Sequence, residues 1–291
     1  MSSDATLRLR DGRTLAYSEA GAPDGVPVFH FHGSPGSRFE RWGGAEAYRA
    51  AGARLITTDR PGIGRSDPQA GRALLDWPAD VAQLAEALGL RRFAVMGHSL
   101  GGAYALACAY ALPQLVAATA IIGGVPRLDE PGGVEQLGTA RYWHTARDRP
   151  AVMRANYAGL VRALRFAPAL GHWLFFHHAS KPDRIAVAPA HVKRRFRDAA
   201  LEAARPGAGG MVDDMHVALN PWGFATRDIA AEVMIWHGRH DHHVPPTVAE
   251  HYAQAMPCSD ATFLEQEGHF SLIEGHAERI VRGLVEQVGE R

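Results

Sequence analysis

The chain has 291 residues, 46% of them apolar and 21% charged, with 31 Lys plus Arg balanced by 31 Asp plus Glu. That is an ordinary soluble globular balance, long enough for one large α/β domain with an insertion and a sizeable core. A net charge of zero argues against a nucleic acid or an anionic membrane as partner. No apolar run approaches the roughly 20 residues of a membrane span, and residues 1–10 lack the apolar core of a signal peptide. With only two cysteines, Cys108 in an apolar helical segment and Cys258, no disulfide is expected and a reducing, cytoplasmic setting fits.

In chain order, residues 6–19 alternate around Asp11-Gly12 as a β-hairpin should. Residues 28–31 form a short strand ending at His32-Gly33-Ser34-Pro35-Gly36, and residues 54–58 another, ending at Asp59-Arg60-Pro61-Gly62-Ile63-Gly64. A helix is expected over 77–89, where Val81, Leu84, Ala85 and Leu88 share a face. A strand follows at 93–96, then a turn at Gly97-His98-Ser99-Leu100-Gly101, an alanine-rich helix, and a strand at 117–122. Short apolar runs alternating with helices indicate a buried parallel sheet with helices on both faces.

That rhythm stops after Pro126. Residues 127–225 read as a helical cap, or lid, inserted into a core domain made of 1–126 and 226–291. The segment holds helices near 150–165 and 191–204, a loop at 206–210, and the aromatics Tyr142, Trp143, Tyr157, Trp173, Phe175, Phe176 and Trp222. Its 14 Lys plus Arg against nine Asp plus Glu give it +5 and leave −5 for the remainder. Strands resume at 233–236 and 261–264, and a last helix is expected over 273–288.

The turn at 97–101 carries the chemistry. A bare Gly-x-Ser-x-Gly arises by chance in roughly one chain in ten, so its placement between a strand and a helix decides. There it reads as a nucleophile elbow: the serine sits on a turn so sharp that a side chain at Gly97 or Gly101 would strike neighbouring backbone. The helix beginning after Ser99 points unpaired N–H groups at the same spot, where an oxyanion could develop. A serine hydroxyl needs a base, best a histidine, and that histidine needs a carboxylate to fix its tautomer.

Order and sheet position select Asp241, after the 233–236 strand, and His269, after the last strand with Gly268 before it. Asp129 is the fallback acid. The N–H groups of Leu100 and Ser34 are the expected oxyanion donors, with His32, Gly33 and His98 as supporting residues. The cluster His237, His240, Asp241, His242 and His243 matches no metal-ligand spacing, and no metal is expected.

With these residues in place, the chain resembles the α/β-hydrolase superfamily, in its esterase and proline-iminopeptidase-like branch. His32-Gly33-Ser34-Pro35 resembles the oxyanion loop and Asp59 to Ser66 the turn after the next strand. Gly97 to Gly102 resembles the elbow, and Gly238 with Asp241, then Gly268-His269, the acid and base segments. The resemblance implies an eight-stranded, mostly parallel sheet and hydrolysis without a cofactor. A serine at 99 disfavours the epoxide hydrolases and haloalkane dehalogenases of this fold, which use aspartate.

The expectation is a serine hydrolase cleaving an ester of a small to medium apolar substrate. An amidase or aminopeptidase, an acyltransferase, a carbon–carbon hydrolase or a non-catalytic binding scaffold are the alternatives. An aminopeptidase would need an acidic anchor for the substrate ammonium. Glu202, Asp213 and Asp214 are candidates, although solvated surface is their default reading. The expected partner is a small molecule, with no nucleic acid and no membrane. A homodimer is compatible with the sequence.

Overall fold

The computed structural model describes residues 3–289, so positions 1, 2, 290 and 291 of the expected core segments lie outside the described residues. Its centre is an eight-stranded sheet. In chain order the strands are β1 (Ser3–Arg8), β2 (Thr14–Gly21), β3 (Val26–Phe31), β4 (Ala53–Thr58), β5 (Phe93–His98), β6 (Val116–Ile122), β7 (Val233–Gly238) and β8 (Ser259–Leu264). Across the sheet they run β1-β2-β4-β3-β5-β6-β7-β8. β2 is antiparallel to β1 and β4, and the other neighbouring pairs are parallel. The Asp11-Gly12 turn sets Arg8 opposite Thr14, with Gly12 at φ +88°, a conformation that glycine adopts freely.

The continuous apolar runs become strands buried on both faces. In β5, Phe93 and Val95 enter one core and Ala94 and Met96 the other, the alternation that a strand imposes. The first core is closed by α2 (Trp77–Ala87), α3 (Gly101–Ala111) and α10 (Pro246–Ala255), the second by α1 (Gly44–Ala50) and α11 (His269–Gly289). Each fully buried Val, Leu, Ile or Phe contributes roughly 1.5–3 kcal/mol. Cys108 lies buried in α3 as a small core residue, and Cys258 is exposed; both are free thiols.

Between β6 and β7, among the described residues, there are six α-helices, a 3-10 turn at Thr226–Asp228 and no strand: α4 (Ala140–Asp148), α5 (Pro150–Phe166), α6 (Pro168–Phe176), α7 (Lys181–Ala186), α8 (Ala190–Ala203) and α9 (Gly209–Leu219). Two readings need correction. Gly209 and Gly210 are not loop but the start of α9. Gly210 lies so close to the Asp59–Gly64 turn that a Cβ there would meet the Gly62 carbonyl at 1.9 Å. The last helix begins at His269, not at 273, because its first N–H groups find acceptors from a distant element. No helix among the described residues is long and apolar enough to cross a membrane.

Candidate active site

The elbow is built as the glycine pattern demands. Ser99 has φ +55° and is the one non-glycine residue at positive φ among the described residues. A Cβ on Gly97 would lie 2.1 Å from the Gly101 carbonyl oxygen, and one on Gly101 would lie 2.0 Å from that of Phe31. Only hydrogen fits at either position. The Ser99 N–H donates to the Ile122 carbonyl at 2.9 Å, which pins the turn to β6.

Asp241 follows β7 and His269 opens α11. His269 Nδ1 donates to Asp241 Oδ2 at 2.7 Å, while Oδ1 accepts the N–H groups of His243 at 2.8 Å and Val244 at 2.9 Å. Both oxygens are engaged, so the carboxylate cannot turn. Burial pushes the Asp241 carboxyl up to about 6, against the pull of His237 and His243. Burial, then His98, holds His269 well below the ordinary histidine range. The imidazole is therefore neutral near pH 7, as a general base must be.

Ser99 and His269 line one cavity of about 940 Å³, together with Gly33, Ser34 and Leu100. Ser99 Oγ and His269 are not hydrogen-bonded to each other, and catalytic hydrogen bonds of this kind often tighten only when substrate binds.

On the opposite wall, the Gly33 N–H is committed to Glu40 Oε1 at 3.0 Å. Among the described residues the N–H groups of Ser34 and Leu100 have no protein acceptor, which leaves them free for an oxyanion. Arg60 holds this loop through the His32 carbonyl at 2.7 Å. Burial, then Arg60, drives His32 down to about 3, so its ring is neutral. His98 lies buried beneath the elbow, its Nε2 donating to the His269 carbonyl at 3.2 Å and its ring 4.7 Å from the His269 ring.

The remaining candidates disperse. His237 donates to the Val244 carbonyl at 2.8 Å, His243 stacks on His269 with ring centres 5.0 Å apart, and His240 and His242 are exposed. Among the described residues no three His, Cys, Asp or Glu side chains converge as metal ligands. Asp129 is paired with Arg127 at 2.7 Å and accepts the Trp222 N–H at 3.0 Å, away from His269.

Asp214 and Glu202 are buried, not solvated. Asp214 binds Arg60 at 2.6 Å, Arg72 at 2.8 Å and the Tyr104 hydroxyl at 2.6 Å. Glu202 binds Arg38 at 2.8 Å and Arg205 at 2.9 Å. Asp213 is exposed, 3.6 Å from Arg154. Of the expected lid aromatics, Tyr142, Trp143, Tyr157 and Phe175 line the cavity. Trp222 instead packs in the core under Arg127.

Two residues at the site, Glu40 and Asp183, escaped sequence reasoning, and Tyr157, expected there only as a lid aromatic, makes a polar contact as well. Glu40 joins His30 and the Gly33 N–H. Tyr157 bonds the Ser34 hydroxyl at 2.8 Å. Asp183 bonds the backbone of His269. Only Asp183 had a local signal, because Ser180 three residues earlier makes a capping pattern that marks the start of α7.

A mostly parallel eight-stranded sheet with Ser99 at the β5–α3 turn, between glycines two positions away on either side, is the architecture of the α/β-hydrolase fold. The chain belongs to the alpha/beta hydrolase fold family, whose family model matches residues 26–276. It is 39% identical over 123 residues to a non-heme chloroperoxidase of Streptomyces lividans, covering 42% of this chain and 45% of that protein. It is 36% identical over 115 residues to a proline iminopeptidase of Xylella fastidiosa, covering 37% of this chain and 35% of that protein. These alignments thus span less than half of either relative. Over its whole length the fold matches an esterase from Exiguobacterium antarcticum, with a TM-score of 0.68 at 18% identity, covering 99% of this chain and 100% of that one.

Proposed function

We propose that the chain hydrolyses a carboxylic ester of a small to medium apolar substrate, through an acyl-enzyme on Ser99. The observation that carries this reading is the Asp241–His269 hydrogen bond of 2.7 Å on the wall of the cavity that Ser99 lines. Neutral His269 takes the Ser99 proton as Oγ attacks the carbonyl carbon, and Asp241 stabilises the imidazolium that forms. The tetrahedral oxyanion is held by the N–H groups of Ser34 and Leu100. His269 returns the proton to the leaving alcohol. Water then repeats the sequence on the acyl-enzyme, freeing the acid and Ser99.

The walls suit an apolar group: Leu137, Trp143, Leu160, Phe166, Leu170 and Met215 face the cavity, whose volume is at the upper end of the roughly 300–1,000 Å³ of small-molecule sites. Helices α4–α9 act in this reading as the lid that excludes water during acyl transfer.

The Xylella fastidiosa relative favours a second reading, cleavage of an N-terminal amide by the same residues. That chemistry requires a carboxylate for the substrate ammonium. Glu202 and Asp214 are bound to arginines, and Glu40 is the acidic residue on the cavity wall.

Purified protein should be labelled by a fluorophosphonate and should hydrolyse p-nitrophenyl esters, with prolyl amides assayed alongside. Ser99→Ala should abolish labelling and lower turnover on the order of 10⁴–10⁶-fold. Unchanged ester turnover in that variant would remove the proposal, and turnover of prolyl amides alone would replace it with the second reading.

A further inference from the structure

Within its own sequence α11 supplies only Ser271 Oγ, which accepts the Gly268 N–H at 2.8 Å and none of the helix's first N–H groups. The residue before its first turn is Gly268, which has no side chain to accept an N–H bond. The acceptors come from α7. Asp183 Oδ2 takes the N–H of His269 at 3.1 Å, and Oδ1 takes those of Phe270 at 2.7 Å and Ser271 at 2.9 Å. The Ser180 hydroxyl donates to Oδ2 at 2.8 Å and also caps α7. One carboxylate, fully buried, thus satisfies three of the N–H groups that a helix start leaves open. The fit is close on the other side too. A Cβ on Gly268 would lie 2.2 Å from Ser180 Oγ and 2.5 Å from Asp183 Oδ2.

His269 is therefore fixed at three points by three different elements. Its N–H is held by Asp183 of α7, its carbonyl by His98 of β5 at 3.2 Å, and its Nδ1 by Asp241 after β7 at 2.7 Å. We propose that Asp183 is a positioning residue, which fixes His269 for proton transfer by capping α11 from the helical segment. It rests on the reading of His269 as the base. Under it, the helical segment does more than cover the cavity, because the base is aligned only while α7 is docked.

The charge of Asp183 also bears on the ring. Burial alone would raise its carboxyl, but the Ser271 N–H and the other donors outweigh burial and keep it below the usual carboxylate range, so it is ionised. The charged or titratable groups facing His269 are Asp183 from α7, His98 from β5, Glu40 from the loop after β3, and His237, Asp241 and His243 from β7 and its loop. Of these, Asp183 and Glu40 favour the imidazolium, and His98 and His237 oppose it.

The test uses the full chain with p-nitrophenyl butyrate as probe. Asp183→Asn keeps the shape and loses the charge, and Asp183→Ala loses the acceptors. Asp183→Ala should lower kcat about 100-fold with KM within about twofold. In Asp183→Asn the acidic limb of the kcat/KM profile should move to lower pH, because His269 loses a negative neighbour.

Wild-type kcat in both variants overturns the proposal. So does a loss of kcat in Asp183→Asn with the acidic limb unmoved, since a merely structural role would give that result. If Asp183→Ala does not fold, the limb in Asp183→Asn decides. Failure of the wild-type chain to react with the fluorophosphonate would instead remove the underlying reading of Ser99 and His269.

Discussion

The two halves of the helical segment between β6 and β7 are attached to the sheet by different physics. Helices α7–α9 reach the core through buried carboxylates: Asp183 on the start of α11, Glu202 on Arg38, and Asp214 on Arg60 and Arg72. Helices α4–α6 offer mainly apolar side chains, and Phe166, Leu170 and Leu174 line the cavity while staying 73%, 51% and 40% exposed. Their polar tie to the loop after β3 is the 2.8 Å bond between Tyr157 and Ser34. A buried ion pair has one good geometry, whereas half-covered apolar surface slides at little cost. The contrast predicts that α7–α9 hold their geometry more strictly than the exposed apolar stretch of α5 and α6 around Phe166, Leu170 and Leu174.

The comparison breaks most visibly at Asp214. Asp214→Ala leaves Arg60 and Arg72 buried and unpaired, and should lower unfolding stability by about 3–5 kcal/mol in denaturant titration. Leu170→Ala, half-exposed on α6, should stay within about 0.5 kcal/mol of the wild type, while KM rises for the longest acyl chains tested. Equal losses in the two variants would erase the distinction.

A smaller effect separates activity from structure by pH. Asp241, which burial raises to about 6, should take up a proton as pH falls through that value and loosen its hold on His269, so kcat/KM should decline below it. Asp214 behaves oppositely. Burial would raise it, but Arg60 and Arg72 hold it well below its ordinary 3.8. The stability it contributes is complete above that ordinary value and is lost only as pH drops toward the lowered one. Between about pH 6 and 4, circular dichroism should therefore report a folded chain whose ester turnover has already failed. Coincident loss of both signals would contradict this ordering.

What the sequence reveals follows the same division. The sheet was readable because each strand is a short apolar run bounded by turn residues, and the elbow because glycines at 97 and 101 answer a local steric demand. Asp241 and His269 were readable from their places after β7 and β8. The helical segment was harder. α6 is apolar nearly all round, so no face stands out; α7 has six residues, too few for a period; α9 opens with two glycines. The role of Asp183 was hidden for another reason. The Asp183 bonds to α11 span 86 to 88 positions, and no local pattern encodes a partner so distant.

The left-handed backbone of Ser99 has a consequence for how this position can be altered. At φ +55° any side chain is under strain, and a β-branched one more so. Threonine, although it carries a hydroxyl, is therefore a poor substitute, and cysteine is the nucleophile that the turn can admit. Glycine would relieve the strain and remove the hydroxyl in the same step. At this one residue, the change that most relaxes the fold is also the change that, on the proposed mechanism, ends turnover.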